Sequence, residues 1–311
     1  MLTVLLALVA GTMCAAKVQI GSINYNLDPV SKKATVVSLL KSKTNYLGLK
    51  TANIPATVKH EGITYEVTTI GQGAFKECKT LTNVTIAEGV TKINEDAFKE
   101  CANIESVSFP STLTFIGSDS FSGCSGLTSV VIPDKVTTIG GSAFSDCSNL
   151  ETVTIPSSVI KIEGGAFSDC RNLAFVEIHT NAIVSVDYKA DDGLVDMFGP
   201  QVKEYVLGNE ITRIGNHAFY NCTGLQKITI GANVEEMGNY AFENCKNIDV
   251  IICNAKNAPL LTKRTFKNMG NKAYVYIYVP EGRERSYKRD QFWGEFDIYT
   301  QGTEPKGDKE D

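Results

Sequence analysis

Histidine is scarce in this chain, with three in 311 residues. His60, His179 and His217 stand far apart, and none lies near a G-x-S-x-G or comparable nucleophile motif. A hydrolytic site needs a nucleophile, a base and a group that orients the base, and no such set can be assembled here. Nor does any C-x-x-C pair occur among the nine cysteines, which removes a common structural zinc signature. Neither catalysis nor a bound cofactor is expected. Charge of one sign is lacking too: 30 Lys and Arg against 35 Asp and Glu leave a net charge of −5. That balance gives no basic footprint for nucleic acid.

Long apolar runs are confined to the N-terminus. Leu2 to Val9 carries no charge and is followed by Gly11, Cys14, Ala15 and Ala16 ahead of Lys17. A short apolar stretch ending in small residues reads as a secretory signal over residues 1–16, although no Lys or Arg precedes it. It is too short to span a bilayer, and no later segment is long and apolar enough to do so. Met13 stands where a bacterial lipid-attachment site takes a small residue before its cysteine, so cleavage after Ala16 is expected rather than a lipid anchor on Cys14.

What the chain does have is a repeat. Phe75, Phe98, Phe121, Phe144 and Phe167 are each 23 residues apart, as are Phe219 and Phe242. Three residues after these come Cys78, Cys101, Cys124, Cys147, Cys170, Cys222 and Cys245. Three further on stands Leu or Ile, then an alternating pair such as Val153 and Ile155, then a second motif such as Val136-Thr137-Thr138-Ile139-Gly140. An odd copy carries Phe198, with Gln201 in the cysteine slot and Val202, Tyr205 and Leu207 as its strand; a last copy has Phe266 and Met269.

Each unit reads as one coil. The L-x-x-V-x-I stretch alternates like a half-buried strand, and Ile-Pro ends it. The V-T-x-I-G stretch is a second short strand whose glycine suits a turn. The A-F-x-x-C segment is expected as one helical turn. A single coil cannot bury its apolar side, so stability must come from stacking about 4.8 Å apart. Stacking places the cysteines in an internal column as small buried hydrophobes, with side chains aligned in a way that disfavours bridging. The expected fold is therefore an α/β, β-rich, right-handed solenoid with a parallel sheet and short helical turns.

Such a stack needs covered ends. Residues 17–66 are expected as an N-terminal β-hairpin cap, 67–279 as repeats and 280–300 as a C-terminal cap in which Trp293, Phe296 and Ile298 cover the last coil. Residues 301–311 are polar and expected to be disordered.

The pattern resembles the BspA-like branch of leucine-rich-repeat proteins, whose repeats follow I-G-x-x-A-F-x-x-C-x-x-L-x-x-V-x-I-P. Ile139 to Pro156 matches it, as does Ile116 to Pro133 with Ser120 in place of Ala. The resemblance covers roughly residues 67–279. It implies export, a secreted or cell-surface location, and adhesion to a host or neighbouring-cell protein. It carries over no binding residue, because the motif consists of core positions.

The outward positions of the V-x-I strands form the candidate binding surface: Val131, Thr154, Phe175, Glu177, Val206, Thr229 and Ile252. Val131, Phe175, Val206 and Ile252 are expected as exposed apolar groups, a mark of a protein partner. The insertion before Phe198 holds Asp187, Asp191, Asp192 and Asp196. Their spacing matches no calcium motif, so a solvated loop is expected. The alternative to a protein-binding module is a structural or glycan-binding envelope protein. An aromatic platform on one face would mark a glycan site, and aromatics outside the core are concentrated at Tyr274, Tyr276 and Tyr278.

Overall fold

The repeats are the coils of a parallel-sheet solenoid in the computed structural model, which describes residues 16–38, 46, 48–190 and 192–303. Residues 1–15 of the expected leader, Cys14 among them, Asp191 and residues 304–311 lie outside the described residues, whereas Ala16 already begins a strand that pairs with Ile23–Asp28.

The first strand of each coil stacks into parallel sheets. One has eight strands, from Ser129–Val131 through Phe175–Ile178 and Glu204–Leu207 to Asp297–Thr300. Its pairing is residue for residue across repeats. Val153, Val176, Tyr205, Ile228, Ile251, Ile277 and Ile298 make one inward row, all buried. A second parallel sheet holds Thr51–Ile54, Asn83–Ile86 and Ser106–Ser108. Thr51–Ile54 falls inside the stretch expected as a cap, yet it already pairs in repeat register.

The V-T-x-I-G motif forms two-residue strands that stack likewise, Lys92–Ile93 on Phe115–Ile116 on Thr138–Ile139. Its glycine serves close approach rather than a turn. A Cβ on Gly140 would lie 2.4 Å from the Ser118 nitrogen, and one on Gly215 would lie 1.9 Å from the Val186 carbonyl oxygen.

The A-F-x-x-C segments are tight turns, not helix. The cysteine N–H donates to the phenylalanine carbonyl of the same coil, as from Cys78 to Phe75 at 3.0 Å, while the phenylalanine N–H donates to the next coil, as from Phe75 to Ala97 at 2.7 Å. Bonds between coils compete with helical bonds within one. A left-handed residue two places after the phenylalanine then ends any helical path: φ is 61° at Glu100, 57° at Asp146 and 63° at Asn244.

Inside these turns the phenylalanines stack. Ring centroids from Phe75 to Phe98, Phe121, Phe144, Phe167 and Phe198 are 5.0–5.3 Å apart, at interplanar angles of 3–17°. Such offset stacking adds about 0.5–1.5 kcal/mol per pair beyond burial. Tyr205 interrupts the column. It stands edge-on between Phe198 and Phe219, at 74° and 75° to them. The stack then resumes through Phe219, Phe242 and Phe266.

The repeat cysteines are buried as expected, and five of them also donate hydrogen bonds. Each Sγ of Cys101, Cys124, Cys147, Cys170 and Cys245 lies 3.0–3.3 Å from a phenylalanine carbonyl oxygen of the preceding coil. Burial pushes the Cys124 and Cys222 thiols up to about 12.

Two short helices accommodate the odd copy. α1 (Asn181–Val184) follows an N-cap at Thr180 and sits between the Lys161–Ile162 and Arg213–Ile214 strands, where Val184 accepts from the Gly215 N–H at 2.8 Å. α2 (Leu194–Phe198) returns Phe198 to the ring column. Both ends of that column are covered. Tyr46 stacks on Phe75 at 4.8 Å, and Trp293 and Phe296 meet Phe266 edge-on. Helix α3 (Glu284–Arg289) turns buried Tyr287 inward, where its hydroxyl donates to the Ala255 carbonyl at 2.8 Å. Among the described residues no helix is long and apolar enough to cross a membrane.

Candidate interaction surface

Alternation along each strand sends every second side chain outward. Parallel register then turns these into rows across the eight-stranded sheet. One row runs Val131, Thr154, Glu177, Val206, Thr229, Ile252, Tyr278, Tyr299. Its neighbour runs Ser129, Thr152, Phe175, Glu204, Lys227, Val250, Tyr276, Asp297. Six of the seven candidate positions thus share one row, and Phe175 stands in the adjacent one.

Their exposure differs from expectation. Val131 is 79% exposed and Thr154 is exposed, whereas Phe175, Glu177, Val206, Thr229 and Ile252 are half-buried. Neighbours one strand away cover their flanks. Val206 lies between Glu177 and Thr229, and Ile252 between Thr229 and Tyr278. Val131 keeps its exposure because it begins the sheet, beside an open cleft of about 680 Å³ that it lines with Phe109, Pro133 and Lys135.

Tyr299 extends the row beyond the expected repeats. It lies 5.8 Å from Tyr276 and 6.0 Å from Tyr278, centroid to centroid. The inward Ile298 beside it was the available signal, one more strand alternation after the last recognisable repeat. Tyr274, 62% exposed, precedes the strand in a short turn of helix and is not in the row.

Charge on this face is locally paired. Glu177 lies 3.1 Å from His179 Nε2, and Glu210 lies 3.1 Å from its Nδ1. Burial opposes the imidazolium, but the two carboxylates outweigh it and raise the His179 pKa above its ordinary 6.5. Lys227 bridges to Glu204 at 2.9 Å.

The described insertion carboxylates, Asp187, Asp192 and Asp196, have separate surroundings. Asp187 accepts the Asn216 N–H at 2.8 Å and pairs with Arg213 at 2.7 Å. That N–H, and next the guanidinium, hold its pKa below the ordinary carboxylate value. Asp192 is exposed, and Asp196 opens α2 with its carboxylate over Gly164. Among the described residues no cluster of three or more His, Cys, Asp or Glu could hold a metal ion.

Comparison with known proteins follows the same lines. A family model described as "BspA type Leucine rich repeat region" matches residues 46–185 and 199–284 in six copies. Among solved structures, a leucine-rich repeat protein of T. pallidum is 23% identical, with 75% of this chain and 91% of that chain covered and a TM-score of 0.49. One from Bacteroides ovatus is 21% identical, covering 91% and 99%, with a TM-score of 0.44. A leucine-rich cell surface protein of Faecalibacterium prausnitzii is 20% identical, covering 93% and 95%, with a TM-score of 0.38. No curated protein matches the sequence.

Proposed function

From a chain that belongs to the BspA-type leucine-rich repeat family, we propose a non-enzymatic protein-binding module that works outside the cell or on its surface, engaging a host or neighbouring-cell protein through the outer rows of its eight-stranded sheet. Leucine-rich repeat proteins typically mediate protein interactions, and such scaffolds are generally not catalytic. The observation that carries the reading is the unbroken outer row from Val131 to Tyr299. Half-buried apolar and aromatic side chains at fixed spacing lose little conformational freedom when a partner covers them.

The test is a binding assay against immobilised extracellular and host surface proteins. Replacing Phe175 and Glu177 together with Ala is expected to weaken a positive interaction at least tenfold while leaving the melting temperature within a few degrees. Undiminished binding would count against this face. Compartment is tested separately, by fractionating the native host and sequencing the protein's N-terminus. A mature start at Lys17 supports export with cleavage; a start at Met1 in the cytosol removes it.

A second reading, a structural or glycan-binding envelope protein, rests on Tyr276, Tyr278 and Tyr299, whose rings cluster at one end of the same face.

A further inference from the structure

A different face carries a second outlier. In the A-F-x-x-C turns, the residue two places before the phenylalanine is left-handed in coil after coil. The occupants are Gly73, Asp96, Asp119, Ser142 and Gly165, small or acidic residues that tolerate this backbone. The next full repeats place His217 (φ 56°) and Tyr240 (φ 60°) there. The fold asks for this backbone in every coil but not for an aromatic ring on it, and a tyrosine held there is strained.

These two rings are built into a patch. They stack at 5.0 Å and 16°, and Tyr220 meets His217 edge-on at 5.5 Å. On the far side Arg264 and Lys267 sit over the Tyr240 ring, at 5.6 and 5.3 Å from its centroid. Glu243 lies 3.6 Å from Lys267 Nζ, whereas Arg264 is exposed and makes no ion pair among the described residues. The His217 Nδ1–H donates to the Tyr188 carbonyl at 3.1 Å, which fixes the ring against the inserted loop. The three aromatic rings are half-buried.

We propose that this patch is a binding site for an acidic sugar residue, a pyranose bearing a carboxylate, at the end or within a glycan chain. Tyr240, covered by His217 on one face and by Arg264 and Lys267 on the other, holds the cations in place, and Tyr220 beside His217 offers aromatic surface to a sugar ring. Arg264, with its planar fork of donors, takes the carboxylate, and Lys267 adds a second positive charge. The patch spans three coils, about 10 Å at strand spacing. That is the size of one or two sugar rings and far below the roughly 800 Å² per partner of a stable protein interface. The carboxylate of Glu243 beside Lys267 disfavours a nucleic-acid backbone, which asks for positive charge throughout. This site is separate from the sheet face, so either can fail without the other.

The experiment titrates the full chain with sialyllactose, with an oligogalacturonide and with lactose, followed by ligand-observed NMR and calorimetry. One of the two acidic sugars is expected to bind at least tenfold more tightly than lactose, and which one identifies the sugar class. Arg264→Ala is expected to reduce that binding at least tenfold. Tyr240→Gly is expected to abolish it while lowering the melting temperature by no more than a few degrees, because relief of the left-handed backbone offsets part of the lost ring contacts. The proposal is overturned if neither acidic sugar binds, or if Arg264→Ala leaves binding intact. Equal affinity for a short DNA duplex also overturns it, since the patch is then only a non-selective basic surface. Tyr240→Gly that melts earlier yet still binds shows the stack to be structural and overturns it as well.

Discussion

Ser120 stands in a slot that six other repeats fill with alanine, and Tyr205 in one filled by valine or isoleucine. Both bring a hydroxyl into the core, and neither Ser120 Oγ nor the Tyr205 hydroxyl has a hydrogen-bond partner among the described residues. A buried hydroxyl without a partner costs about 1–3 kcal/mol. Ser120→Ala and Tyr205→Phe are therefore each expected to stabilise the protein by about 1 kcal/mol, read as a higher urea midpoint at unchanged slope. His179 makes a pH-dependent contribution. Its raised pKa means the imidazolium's pairing is fully present below the unfolded value near 6.5 and is lost as pH rises through the folded value. Glu210 is held below its ordinary 4.5 by a backbone N–H and by His179, so its share is lost as pH falls. The contact thus contributes most between these two limits. Substituting His179→Gln is expected to lower stability by a few tenths of a kcal/mol near pH 6 and by almost nothing at pH 8, the groups being partly solvated. Equal loss at both values would show that the ion pairs do not matter.

At the scale of the turn, backbone geometry decides more than side-chain spacing. Phenylalanine and cysteine three apart fit a helical turn as well as the turn observed. The choice falls to hydrogen bonds between coils, which no local pattern encodes. The same cause hides the role of the thiols: their burial follows from the repeat, but their bond to the carbonyl of the coil before depends on stacking. Left-handed φ at Asp146 and Asn244 gives a direct test. Asp146→Gly and Asn244→Gly remove a Cβ from a strained position, at some cost in chain entropy. Each is expected to change stability by about 0 to +1 kcal/mol, whereas glycine in a helix interior would lose about 1 kcal/mol. Calorimetric melting of the two variants separates turn from helix.

Across the whole molecule, the 23-residue period by itself makes the sheet register legible. Parallel stacking converts equal sequence spacing into adjacency, and this is why six candidate positions fall into one row. Half-burial of Val206 and Ile252 is not legible in the same way, because it arises from side chains one strand away on either side. The first strand in repeat register, with Ala52-Asn53-Ile54-Pro55, carries no repeat signature, because no A-F-x-x-C segment precedes it. Solenoid stability sums neighbouring interfaces, so end coverage matters out of proportion to its length. Removing residues 281–311 uncovers Phe266 and takes away Trp293 and Tyr287, both fully buried. The shortened protein is expected to lose several kcal/mol and to self-associate, seen as a lower melting temperature and a larger mass in light scattering; a well-behaved monomer of unchanged stability would refute the assignment of that segment as a cap.

Tyr205 has a mechanical consequence. Where every other junction in the aromatic spine from Phe75 to Phe266 joins faces, this one joins an edge to a face, and the inserted segment leaves α1 in place of a short strand there. Pulled from its two termini, the rod has a built-in tear line between the coils of Phe198 and Phe219, and the portions on either side can give way at different loads.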